Sequence, residues 1–178
     1  MSTYILIQSQ TLASSAASVT FSSIPSTYTD LALRLSARND GAGTRAAFGL
    51  LQFNSDTTAN YSATYTRGTG TFATSANFTT ASTPIGGKWS PTGYDSAGNT
   101  ANTFTNTEIY IPNYATTATK SYSAFNVSED NSTGNANGIE ATANLYLGTT
   151  AISSILILSN SGNFVAGSSF YLYGISNS

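Results

Sequence analysis

The stretch Leu31-Ala32-Leu33-Arg34-Leu35-Ser36-Ala37-Arg38 decides the fold. Its leucines fall on one face of an extended chain and its arginines on the other, because successive strand side chains point to opposite sides. Alternation over four to eight residues marks a half-buried strand. Upstream, Ser18-Val19-Thr20-Phe21-Ser22 alternates in the same way. Far downstream, Ile139-Glu140-Ala141-Thr142-Ala143-Asn144-Leu145-Tyr146-Leu147 repeats the pattern. A period of two therefore runs through most of the chain.

Further strands are predicted over Tyr4–Gln8, Ala47–Asn54, Tyr61–Arg67, Thr71–Phe78, Thr107–Ile111, Tyr122–Ser128, Ser153–Leu158 and Ser169–Ile175. Turn clusters separate them: Arg38–Gly43, Asp95–Asn99, Asn131–Gly138 and Asn160–Asn163. Asn and Gly suit these places because they accept the positive φ of tight turns. No segment carries a sustained helical period, and Thr11–Ala17 reads as a loop or a single turn. The pattern predicts an all-β fold, an antiparallel two-sheet β-sandwich that is jelly-roll-like with extra edge strands. A chain of 178 residues fits one domain spanning 1–178, with 1–17 as an N-terminal strand and arm.

Composition narrows function by what it leaves out. Only 8% of the residues are charged, against about 25% in ordinary domains, and there is no histidine or cysteine. No Ser–His or Cys–His pair exists, so the commonest nucleophilic mechanisms are excluded. The eight acids (Asp30, Asp40, Asp56, Asp95, Glu108, Glu129, Asp130 and Glu140) include no pair whose context marks the opposed carboxylates of a glycosidase. A non-enzymatic role without a cofactor is expected. The six scattered basic residues and a net charge of -2 argue against nucleic acid. No run approaches the roughly 20 apolar residues of a membrane helix. Met1–Gln8 lacks a basic leader and reads as a strand rather than a signal peptide. Near-neutral charge favours association, so the sequence predicts life in an assembly.

Three local features stand out. Trp89 in Gly86-Gly87-Lys88-Trp89-Ser90-Pro91, and Tyr94 just beyond it, sit outside any strand pattern. Each is read either as an exposed contact aromatic, of the kind enriched at interfaces and able to stack on sugars, or as a plug over the sandwich. Tyr114, in Tyr110-Ile111-Pro112-Asn113-Tyr114, is open to the same two readings. Glu129-Asp130-Asn131 opens an oxygen-rich loop running through Asn135 and Asn137 that is a candidate calcium site, although Asn-rich turns also arise for backbone reasons alone. Asn-X-Ser/Thr sequons at Asn60, Asn77, Asn126 and Asn131 are expected by chance in such a sequence.

Three stretches resemble a family of small structural proteins of tailed bacteriophages: Ser18–Leu31, Gly98–Tyr114 and Gly162–Ile175 with its closing Phe-Tyr-Leu-Tyr-Gly-Ile strand. The resemblance spreads over nearly the whole chain and brings no catalytic motif. It implies a virion protein made in the host cytoplasm. The short chain, without fibre shaft or attachment segment, favours a capsid decoration (cement) protein. Such a protein would bind the major capsid protein or another virion protein non-covalently, as a homotrimer at threefold or quasi-threefold positions whose many copies add avidity. The rival expectation is a receptor- or carbohydrate-binding domain of a tail or head fibre.

Overall fold

A computed structural model describes residues 3–43, 49–78, 87–90, 95–131 and 138–176. Twelve strands are defined among them. In chain order these are β1 (Thr3–Thr11), β2 (Ser18–Phe21), β3 (Asp30–Ala37), β4 (Gly49–Phe53), β5 (Tyr61–Gly68) and β6 (Ala73–Phe78). They continue as β7 (Gly87–Ser90), β8 (Thr105–Ile111), β9 (Lys120–Ser128), β10 (Gly138–Tyr146), β11 (Ile155–Ser159) and β12 (Ser169–Ser176). Every described pairing between strands is antiparallel. No helix occurs among the described residues.

Eight of these strands form a jelly roll. β1 pairs with β12, β2 with β11, β3 with β8 and β4 with β7, as in one long hairpin folded from both chain ends. Rolling that hairpin adds two pairings, β12 with β3 and β11 with β4. The result is two sheets, with β1-β12-β3-β8 in one and β2-β11-β4-β7 in the other. Two hairpins are inserted into this frame. β5–β6 follows β4, β9–β10 follows β8, and together they extend the first sheet to the order β1-β12-β3-β8-β9-β10-β5-β6.

The predicted strands all recur, with ends shifted by a few residues. One strand was not predicted. Gly87–Ser90 reads as loop in the sequence, yet it forms β7. Four residues containing one glycine and one tryptophan have no readable alternation. Pairing with β4 makes the segment extended, so the tertiary partner decides it.

The core lies between the sheets. Leu31, Leu33 and Leu35 of β3, Ile109 and Ile111 of β8, and Phe170 and Leu172 of β12 face Val19, Phe21, Leu51, Phe53, Ile155 and Ile157 of the smaller sheet. Each such side chain contributes roughly 1.5–3 kcal/mol by leaving water. Where the larger sheet outruns the smaller, its inner face turns polar: Asn126, Glu140, Thr142 and Asn144 are buried there. Thr107 Oγ1 bonds Asn126 Oδ1 at 2.7 Å, and Asn144 Nδ2 donates to Thr142 Oγ1 at 2.8 Å. Phe53 marks the junction, with the rings of Tyr61, Tyr122 and Tyr146 packed around it at 5.3–6.2 Å between centroids.

Candidate functional site

Among the described residues, no element covers the outer face of the eight-stranded sheet. Pleating sends every second residue outward, and the registers align these residues in rows across the strands. One row runs Tyr171, Arg34, Glu108, Phe125, Ala141, Thr66. The next runs Tyr173, Ala32, Tyr110, Ser123, Ala143, Thr64. Charged and tyrosine side chains therefore gather over the jelly-roll half, while small residues together with Phe125 and Ile139 cover the inserted hairpins.

Two exposed groups, Tyr4 and Arg34, meet the half-buried Tyr173 at the β1 end. The Arg34 guanidinium lies 5.4 Å from the Tyr4 ring centre and 5.9 Å from that of Tyr173, and the two rings meet edge to face at 6.3 Å. Arg34 Nε also donates to Glu108 Oε2 at 2.8 Å. Both partners of this ion pair are about half exposed, so it contributes little to stability; its effect is to hold the guanidinium within cation–π reach of the two tyrosine rings. Beyond it, Arg34, Asn106, Thr107, Glu108, Phe125 and Val127 line a shallow depression. Phe125 and Ile139 beside it are 51% and 55% exposed. Tyr110, on the same face, donates to Asp30 Oδ2 at 2.8 Å. That bond, with some burial, pushes its phenol up to about 12. The arrangement can grip a partner by stacking, apolar contact and a few hydrogen bonds.

The aromatics singled out in the sequence fall elsewhere. Tyr114 is fully buried. Its hydroxyl donates to the Pro25 carbonyl, its own carbonyl accepts from Ile152 N at 3.0 Å, and burial raises its phenol above the ordinary range. Its contact reading is therefore corrected to a core role, because the turn at Pro112–Asn113 directs the ring under the sheet. The side chain of Trp89, and Tyr94 altogether, lie outside the described residues.

The candidate calcium loop is organised around nitrogen donors. Asp130 is buried, and its Oδ2 accepts from Asn99 Nδ2 at 2.7 Å and from Thr100 N at 3.2 Å. Glu129 is exposed and its Oε1 accepts from Asn131 N at 2.8 Å; Asn135 and Asn137 lie outside the described residues. Ser128 Oγ donates to Asp95 Oδ1. The cation in this corner is Arg38. Its guanidinium donates to the carbonyls of Ser96 at 2.6 Å, Thr100 at 2.8 Å, Thr103 at 3.0 Å and Asn99 at 3.2 Å. Among the described residues, no group of three or more carboxylates and imidazoles is placed to hold a metal.

Other acids are engaged with local backbone and neighbours. Asp40 Oδ1 accepts from Asn163 N at 2.7 Å, and Asp30 Oδ1 from Asn113 N at 2.9 Å. Asp56 binds Thr58, Asn60 and Tyr146. Sequence reasoning missed the Tyr4–Arg34–Tyr173 platform, since only the register brings three distant strands side by side. The exposed alternation of Arg34 and of Tyr171–Tyr173 was the available signal.

No protein-family model, curated protein or solved structure matches this chain.

Proposed function

We propose that this chain is a non-enzymatic virion structural protein, a decoration protein that binds the major capsid protein of a phage head and stabilises it without covalent bonds. The open outer face of the eight-stranded sheet carries this reading. Tyr4, Arg34, Tyr110 and Phe125 stand exposed there on a rigid scaffold, and Tyr and Arg are the residue types that anchor interfaces. The low charge of the rest of the molecule supports it, as does the phage-family resemblance of Ser18–Leu31, Gly98–Tyr114 and Gly162–Ile175. A homotrimer at a threefold position fits such a role, because symmetry multiplies weak contacts.

Mass spectrometry and immunogold labelling of purified phage particles test the proposal. Many copies per particle with label on the head are expected. Absence from the particle, or label confined to the tail, overturns it.

The arginine stacked on two tyrosines also favours a second reading, a receptor- or carbohydrate-binding domain of a tail or head fibre. That reading expects binding on a glycan array that is lost in Tyr4→Ala and Tyr173→Ala. A wild-type array without signal dismisses it.

A further inference from the structure

We infer that β1 is a pairing edge, and that its occupant is the β1 strand of a second copy, added antiparallel about a twofold axis so that two eight-stranded sheets become continuous. Among the described residues β1 pairs with β12 alone. One side of a nine-residue strand thus presents unpaired N–H and C=O groups, a ready template for another chain.

Three observations single out this edge and this occupant. First, Tyr4, Ile5 and Leu6 are 49%, 43% and 50% exposed in succession. Tyr4 and Leu6 lie on the outer face beside Tyr173, and Ile5 points the other way. Apolar side chains thus stand open on both faces of one strand, and an added strand covers both at once. Second, the usual protections are missing. Thr3–Thr11 contains no proline and no charged residue, and the first charged side chain of the sequence is Asp30. A copy of the same strand therefore docks without like-charge repulsion. Third, the ladder with β12 slips between Leu6 and Gln8, making Ile7 the extra residue of a bulge. The bulge divides the ladder into two regular runs, the apolar Thr3–Leu6 and the polar Gln8–Thr11.

A twofold pairing centred on Ile5 keeps to the apolar side of the edge and brings apolar groups together. Ile5 then meets Ile5 of the second copy, Tyr4 meets its Leu6, and Thr3 meets its Ile7. Side chains directly opposite on one face of an antiparallel pair touch, so these apolar pairs favour the added strand. Centring on Leu6 instead sets Tyr4 against Gln8 across the bulge. The contact goes beyond the proposed function, because it concerns the purified protein alone. On a capsid it would tie neighbouring trimers across twofold axes.

The chain's lack of cysteine allows a direct test. Directly opposed residues of an antiparallel pair have Cα atoms about 4.5–5.5 Å apart, within disulfide reach. Full-length Ile5→Cys is expected to form a disulfide-linked dimer under mild oxidation, while Gln10→Cys, beyond the bulge, stays uncrosslinked. Crosslinking of Ile5→Cys no faster than that of Gln10→Cys overturns the inference. As a second test, Ile5→Lys places like charges opposite each other, and its sedimentation mass should fall relative to wild type. Mixing it with Ile5→Glu should restore the wild-type mass. An unchanged mass for Ile5→Lys, or a mixture that does not reassemble, counts against the contact. Neither measurement uses phage particles, so this idea and the virion assignment fail separately.

Discussion

Lys120 Nζ donates to the carbonyl oxygen of Thr150 at 2.8 Å, joining the start of β9 to the loop before β11. The same ammonium donates to the Thr116 carbonyl at 2.8 Å and the Ala118 carbonyl at 2.6 Å. The residue is almost wholly buried, and burial draws its pKa below the ordinary 10.5. Three carbonyl dipoles take the place of a counter-ion.

Replacing this lysine with methionine keeps the stem and removes the donors. Three carbonyls then lose their partner, and hydrogen bonds to charged groups contribute about 1.5–3 kcal/mol each when intact. Chemical denaturation of Lys120→Met is expected to show a loss of about 2–4 kcal/mol. Lys120→Arg should not restore it, because a planar fork cannot point at three converging oxygens.

Arg38 organises the opposite corner by the complementary rule. Its fork reaches four carbonyls of the 96–103 segment, a pattern that a single ammonium cannot copy. Arg38→Lys is expected to lower the melting temperature and to open residues 96–103 to limited proteolysis. A protease map identical to wild type would contradict the clamp.

Asp56 sets a pH dependence. Burial alone would raise its carboxyl, but hydrogen bonds from Thr58, Asn60 and Tyr146 outweigh it and hold the group at about 2, below the ordinary 3.8. A depressed carboxylate contributes stability above its unfolded value and loses it as pH falls through the folded one. Asp56→Ala should therefore melt below wild type at neutral pH, and the gap should close between pH 4 and about 2. A gap that is constant across that range would show that the carboxylate charge plays no part.

Five tyrosines ionise late on alkaline titration. Burial raises Tyr61, Tyr114, Tyr122 and Tyr146, and the bond to Asp30 raises Tyr110. Absorbance at the tyrosinate band should show a late step, above the ordinary phenol value of about 10, that includes these five. Asp30→Asn should take Tyr110 out of that late step, and an unchanged late amplitude would contradict the bond.

The alternation of Leu31–Arg38, Ser18–Ser22 and Ile139–Leu147 was legible because a strand's two faces meet different solvents, and that difference is written at every second residue. Core positions such as Leu33 and Phe21 follow directly from it. Tyr114 was ambiguous because a lone aromatic after a Pro-Asn turn has no period to place it. β7 was unreadable because its extension comes from β4, not from its own residues. The buried polar layer at Asn126, Glu140, Thr142 and Asn144 also looks like solvent-facing alternation in sequence, since polarity alone does not say which side water is on.

By itself the sequence determined an all-β sandwich of antiparallel strands with hydroxyl- and amide-rich turns, and an unusually low content of charged residues. Those properties depend on neighbours along the chain. Only the tertiary structure decided that β1 ends a sheet, that Tyr4, Arg34 and Tyr173 share one surface, and that Asp130 and Lys120 are buried. These depend on which strands pair and in what register, and a shift of one residue would have sent each side chain to the other face.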